Sequence, residues 1–206
     1  MTASHPVILA VWASVYLIFW LWWGGRGKPL TPQELSAGLQ KLESVVSGPL
    51  SLAHLQDVEQ LLAHDDGREF IMCNSVLYRK QALYPENSSY GPDPREADKR
   101  YGQAIIWPLL KRACLPIFIA RKTGQFVNDA QSPEWHYVAM VRYRSRRDFL
   151  NFALDIEKQG ISVHKWAAIE QTQVFPVRPL ISVFSARWNM AFVCALLAWA
   201  STQLVA

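Results

Sequence analysis

No Asp, Glu, Lys or Arg occurs from Met1 to Gly25 or from Trp188 to Ala206, so every formally charged side chain of this 206-residue chain lies between Arg26 and Arg187. A chain with two uncharged, apolar ends and a charged middle has few ways to shield those ends from water, and a bilayer suits both. Pro6 to Trp23 reads PVILAVWASVYLIFWLWW, eighteen residues that are apolar or aromatic apart from Ser14. As a helix this segment is about 27 Å long, close to the ~30 Å hydrocarbon core. Pro6 suits a first helical turn, and Trp20, Trp22 and Trp23 cluster at one end as interfacial aromatics do. We therefore predict a transmembrane helix over residues 6–24. A cleaved signal peptide is the rival, but it needs a basic leading region and a small-residue cleavage site; the sequence has only His5 before Pro6, and bulky Trp at the would-be site.

Trp188 to Ala206 is a weaker segment, polar at Asn189, Ser201, Thr202 and Gln203. A second span over 188–206 is expected, with an amphipathic helix on the bilayer surface or packed on the domain as the alternative. Arg26 and Lys28 follow the first segment, Arg178 and Arg187 precede the second, and neither tail carries Lys or Arg. The positive-inside rule then places the central domain in the cytoplasm and both termini outside. Cys73, Cys114 and Cys194 show no CxxC or metal-ligand spacing. An odd number of cysteines in apolar surroundings points to reduced, buried thiols in a reducing compartment, which agrees with that orientation.

The net charge of +4 is unevenly spread. Arg26–Asp66 holds three basic and six acidic residues, whereas Gly67–Arg187 holds eighteen basic and eleven acidic. A basic domain beside a membrane is attracted to anionic headgroups. Nucleic acid is not expected as a partner, because no recognisable nucleic-acid module accompanies the charge. No nucleophile elbow, P-loop, dinucleotide fingerprint or HExxH motif occurs, and neither a cofactor nor a metal is expected.

Between the ends, residues 31–66 read as a helical linker. Thr31-Pro32-Gln33-Glu34 is a helix start, Leu35, Leu39, Leu42, Val45 and Val46 recur at helical spacing, and Gly48-Pro49 stops the run. Leu52, Leu55, Val58, Leu61 and Leu62 mark a second amphipathic stretch that ends at Asp65-Asp66-Gly67. From Glu69 the pattern turns to strands. Phe70–Tyr78 is a breaker-free, strand-forming run. Arg95–Ala113 reads as a helix with a kink or early break at Pro108, followed by strands at Leu115–Ala120 and Trp135–Tyr143. Ser145 caps a helix carrying Phe149, Phe152, Ala153 and Ile156, and a last strand runs from about Ala167 to Phe175, closed by Pro176 and Pro179. The order β-α-β-β-α-β predicts an α+β, ferredoxin-like domain over residues 69–177. One face of its antiparallel sheet lies under the helices and the other needs a cover.

These residues resemble a known group. Phe70-Ile71-Met72-Cys73-Asn74-Ser75-Val76-Leu77-Tyr78-Arg79 is similar to the first-strand pattern of the dimeric α/β-barrel superfamily, in particular its small uncharacterised bacterial branch related to EthD-like and stress-responsive barrel proteins. Tyr101-Gly102 resembles that branch's helix tyrosine. The run from Tyr137 through Ser145-Arg146-Arg147-Asp148-Phe149-Leu150 resembles its third strand entering its second helix. His164-Lys165-Trp166-Ala167-Ala168 and Phe175-Pro176 stand where its last strand is approached and left. The branch often has a Gly-Gly pair before its second strand, where this chain has Ala113-Cys114-Leu115-Pro116. The resemblance covers roughly Glu69–Val177 and implies a homodimer whose sheets face each other around small-molecule pockets. Its members include cofactor-free monooxygenases, haem-degrading enzymes, chlorite dismutases, isomerases and plain binding proteins, so the fold does not choose a function.

Several polar residues are candidates for a site. His164 is a general-base candidate by its near-neutral titration, and Asn74 and Tyr101 are its prospective companions in proton handling. Arg142 and Arg144, two apart on a strand, are placed to grip a carboxylate or phosphate, with Trp135 as an aromatic ligand contact; a solvated, headgroup-facing patch is the alternative. Arg146 and Arg147 sit in a first helical turn, where the dipole does not favour them, which hints at partners such as Asp148 or lipid. The expected function is a membrane-anchored small-molecule-binding or scaffold protein for an apolar or weakly acidic ligand. The alternatives are a cofactor-poor monooxygenase or isomerase, or a structural role in assembly with another membrane protein. An enzyme needs His164, Tyr101 and Asn74 to converge in one enclosed cavity.

Overall fold

A computed structural model describes residues 4–24, 27–46, 53–127, 131–180 and 186–204. Along the chain its elements are α1 (Ser4–Gly24), α2 (Pro32–Val45), α3 (Leu55–Ala63), β1 (Phe70–Tyr78), α4 (Pro94–Leu110), β2 (Leu115–Arg121), β3 (Tyr137–Tyr143), α5 (Arg146–Lys158), α6 (Ser162–Ala168), β4 (Ile169–Val177) and α7 (Ala186–Gln203). They belong to two compact units, one drawn from residues 1–26 and 179–206, the other from 27–178. Gly25, Arg26, Gly48, Pro49, Leu52 and the last two residues lie outside the described residues.

The first unit is an antiparallel pair, α1 against α7. Trp12 Nε1 donates to Ser201 Oγ at 3.3 Å, and toward the other end of α1 the Arg187 guanidinium lies 4.4 Å from the Trp20 ring centroid. The small side chains of Cys194 and Ala198 are the buried positions of α7, and small residues let two helices approach closely. Among the described residues α1 is the one helix long and apolar enough to cross a membrane. The anticipated second segment does form a helix, but Arg187, Asn189, Ser201, Thr202 and Gln203 leave it less apolar than α1.

In the second unit, α2 begins as its sequence predicts. Thr31 Oγ1 accepts from Glu34 N at 3.2 Å, the Glu34 carboxylate accepts from Thr31 N at 2.8 Å, and Pro32 takes the first helical position. The apolar stripes of α2 and α3 close on α5 through Leu42, Leu62, Leu150 and Leu154, all buried. The supposed linker is thus part of the packed unit. Gly38 permits this closure, because a Cβ there would run into the Leu150 side chain.

The sheet has strand order β2-β3-β1-β4 with every neighbouring pair antiparallel, the ferredoxin-like arrangement. Alternation along β1 puts Phe70, Met72 and Val76 under the helices, where Leu109, Cys114, Tyr143, Phe152 and Ile156 complete the main core. The opposite face presents Ile71, Cys73, Val138, Met140 and Phe175, in register across three strands, and no described element of this unit covers it.

The early break expected at Pro108 is found, α4 stopping at Leu110, two residues beyond it. Three local expectations are revised. β3 starts at Tyr137, not Trp135. Ala167 and Ala168, expected to open the last strand, instead end the short helix α6, where both are buried against Val76 and Ala97. Pro176 does not close β4 but lies within it, opposite Met72; β4 is an edge strand, and an edge position tolerates a residue that cannot donate to the ladder. At the turn into β2, Ala113 has φ +53°, a left-handed conformation that glycine adopts freely and alanine does not.

Candidate functional site

The end of β1, the start of β3, the first turns of α4, the end of β2 and the flanking residues Lys122, Gln125, Glu134 and Trp135 border an open cleft of about 700 Å³, within the size range of small-molecule sites. Sheet pairing sets its inner wall. Val76 opposes Tyr137 across β1 and β3, and the helix-side alternation brings Tyr78 and Tyr137 together with ring centroids 5.5 Å apart. Asp93 caps α4, accepting from Arg95 N at 2.9 Å, and one turn later the helix delivers Asp98 to the two tyrosines. The Tyr78 hydroxyl donates to one Asp98 carboxylate oxygen at 2.8 Å and the Tyr137 hydroxyl to the other at 3.1 Å.

Burial raises the Asp98 carboxyl above its ordinary range, although the two tyrosine hydrogen bonds and nearby Lys165 oppose the shift. Burial, reinforced by the Asp98 charge, also holds both tyrosine hydroxyls protonated far above their usual value. The result is a carboxyl that takes up a proton more readily than a free one, flanked by two permanent donors. Lys165 has the converse shift: burial lowers it, against the pull of Glu157 and Asp98.

Trp135, His136 and Ile119 supply further wall. The His136 ring takes over from the strand ladder, its Nδ1 accepting from Tyr78 N at 3.0 Å, so Nε2 carries the hydrogen. At the rim Lys122 pairs with Glu134 at 3.0 Å, and Gln125 donates to the same carboxylate. Arg95 and Arg121 also line the cleft. Among the described residues neither has a carboxylate within ion-pair distance.

Of the six residues expected to form a site, Trp135 lines this cleft, and Asn74, Tyr101, His164, Arg142 and Arg144 do not. Asn74 is spent inside the sheet, its Nδ2 donating to the Met72 and Ala139 carbonyls at 3.0 and 3.2 Å. The Tyr101 hydroxyl is buried, and that burial raises its value. His164 lies on α6, its Nδ1 hydrogen-bonded with the Tyr84 hydroxyl at 2.8 Å, with Tyr90 packed edge-on at 4.8 Å. No hydrogen bond among the described residues joins Asn74, Tyr101 and His164, so the convergence required of a catalytic trio is not met.

Arg142 and Arg144 are likewise committed. Arg142, only 4% exposed, donates to Glu69 Oε2 at 2.9 Å and to the Ala113 carbonyl at 2.6 Å. Arg144 lies beyond the strand end and forms a two-pronged pair with Asp148, both bonds 2.8 Å. Arg146 and Arg147 find Asp66 and Glu34. Those acidic groups, in α2 and the turn after α3, explain two cations in a first helical turn without any ligand. The residues that do gather, Tyr78, Asp98, Tyr137, Arg95 and Arg121, escaped notice from sequence. The one local signal was Asp98, a carboxylate immediately after Ala97 and three residues before Tyr101, on the buried side of an otherwise solvated helix start. No group of three His, Cys, Asp or Glu able to hold a metal occurs among the described residues.

The fold has relatives among solved structures. A protein of unknown function from Rhodopseudomonas palustris is 21% identical with a TM-score of 0.55, the match covering 62% of this chain and 94% of that one. The methylated form of that protein matches with the same identity and TM-score over 62% and 93%. A dabb family protein with a ferredoxin-like fold, from Mesorhizobium loti, is 10% identical with a TM-score of 0.35, over 55% of this chain and 98% of its own. No protein-family model and no curated protein matches the chain. What this chain shares with the Rhodopseudomonas palustris protein is its fold.

Proposed function

We propose that this chain is a membrane-tethered, small-molecule-binding protein that works as a homodimer, with the cleft of Tyr78, Asp98, Tyr137 and Trp135 as its ligand site. The cleft carries the reading: it combines adequate volume, aromatic walls and a small set of convergent polar groups. The tether is α1, whose outward side chains are apolar along its length, with α7 beside it. Arg187 at the Trp20 end favours a headgroup position for that end and a cytoplasmic position for the basic domain, as in a bacterial inner-membrane protein. The dimer forms through the uncovered sheet face. Phe118 and Phe175 stay about two-fifths exposed there, beside Met140 and Val138, and an apolar sheet face is stable only when covered.

Native mass spectrometry of the detergent-extracted chain tests the reading. A dimer carrying a retained small organic molecule is expected, with Met140→Lys giving monomer. A wild-type monomer, or recovery of the intact chain in the soluble fraction after a carbonate wash, overturns it. The Tyr78–Asp98–Tyr137 network favours a second reading, a cofactor-independent isomerase in which Asp98 moves a proton on the bound molecule. Turnover that Asp98→Asn abolishes while binding persists would select it.

A further inference from the structure

The cleft has a charge imbalance that identifies the head of its ligand. Among the described residues from Arg112 to Arg178, every arginine but Arg121 has a carboxylate partner: Asp155 for Arg112, Glu69 for Arg142, Asp148 for Arg144, Asp66 for Arg146 and Arg178, Glu34 for Arg147. Arg121 shares its lack of a carboxylate partner among the described residues with Arg68, Arg79, Arg95 and Arg100, and of these Arg95 and Arg121 line one cleft. They approach it from different elements, Arg95 in the first turn of α4 and Arg121 as the last residue of β2, and both act electrostatically on the Tyr78 hydroxyl. Among the described residues the cleft's two acids, Asp98 and Glu134, form no ion pair with either. Glu134 is taken by Lys122 and Gln125, and Asp98 is turned to two tyrosine hydroxyls. Two guanidinium forks with no carboxylate partner among the described residues, in one aromatic-walled cleft, have the chemistry to hold a planar anion. Ile119, 65% exposed, and Trp135 offer apolar surface beside it.

Building on the binding function above, we infer that the cleft selects small monocarboxylic acids with an aromatic body, holding the carboxylate between Arg95 and Arg121 and the ring against Trp135 and Ile119. The forks match a carboxylate two bonds at a time, and the neighbouring tyrosine hydroxyls give the site a polar floor. An uncharged isostere of the same shape keeps the ring contacts and forfeits the ionic ones.

Isothermal titration calorimetry of the full chain in detergent, with phenylacetate, phenylacetamide and inorganic phosphate as probes, tests this. Phenylacetate is expected to bind at least about tenfold more tightly than phenylacetamide at low salt, with the advantage shrinking as salt rises. Arg95→Ala with Arg121→Ala should erase that advantage and leave the amide unchanged; both side chains are exposed, so the fold should be kept, and circular dichroism checks it. Trp135→Ala should weaken acid and amide together. Equal binding of acid and amide by the wild type overturns the arginine assignment and leaves the small-molecule function standing. Phosphate binding as tight as phenylacetate overturns the selection for an organic acid. Absence of heat with both ring-bearing probes overturns the inference; only a wild-type chain that also carries no molecule in native mass spectra takes the binding function down with it.

Discussion

The Arg142 guanidinium meets the Ala113 carbonyl at 2.6 Å, at the turn into β2, where the chain bends a non-glycine residue into the left-handed region. The same guanidinium reaches Glu69 ahead of β1, so a single side chain ties the entrances of two strands to β3. Arg142→Met leaves the Ala113 carbonyl without this partner inside the core and should cost about 3 kcal/mol. Glu69→Gln should cost under about 1 kcal/mol, because Glu69 is half exposed and water replaces the lost charge. Denaturant unfolding of the two variants measures both; equal costs would show that the ion pair, not the turn, is what Arg142 supports.

Gly38 and Leu150 should behave as a coupled pair. Gly38→Val forces a branched side chain into space that Leu150 fills, and overpacking of this kind costs about 1–3 kcal/mol. In a Leu150→Ala background the same substitution should cost markedly less. A double-mutant cycle reads the difference, and additive effects would dissociate α2 from α5 at this point.

Asp98 should make the unit less stable as pH rises. Its folded value lies above the ordinary 3.8, so the folded state binds more protons than the unfolded chain between those two values. Stability is therefore lost as pH climbs from the unfolded value through the folded one, the opposite of an ion-paired carboxylate. Unfolding midpoints of wild type and Asp98→Asn across that window test the sign: the variant should gain on the wild type as pH rises.

His164 should titrate below its ordinary 6.5, because burial disfavours its charged form and the Arg100 charge adds to that. The unfolded chain then holds the extra proton, so this group's contribution to stability falls as pH drops through the window beneath 6.5. Nuclear magnetic resonance titration of the imidazole measures the value, and Arg100→Ala should move it upward. A titration at 6.5 or higher would contradict the buried placement beside Tyr84 and Tyr90.

Local signals in the sequence carried most of the fold. The Thr31 and Ser145 caps, the breaker-free run from Phe70 to Tyr78 and the order of elements are properties of neighbours in the chain, and each has its counterpart in the structure. α6 was hidden because its start has no side-chain cap and its reason to be helical is remote, the burial of Ala167 and Ala168 against Val76 and Ala97. The cleft was hidden for a similar reason. Asp98 meets Tyr78 and Tyr137 across separations of 20 and 39 residues, and only the sheet register brings the two tyrosines side by side. The arginine cluster at 142–147 misled for the converse reason: adjacent in sequence, its members disperse to Glu69, Asp148, Asp66 and Glu34.

The imidazole of His136 stands in for a peptide carbonyl at the end of β1, receiving a backbone hydrogen that a longer β3 would otherwise have received. A ring used in this way cannot swap its tautomer or swing aside without fraying a strand. A guest in the cleft therefore meets a donor whose orientation is fixed before it arrives, and loses little conformational entropy in recruiting it.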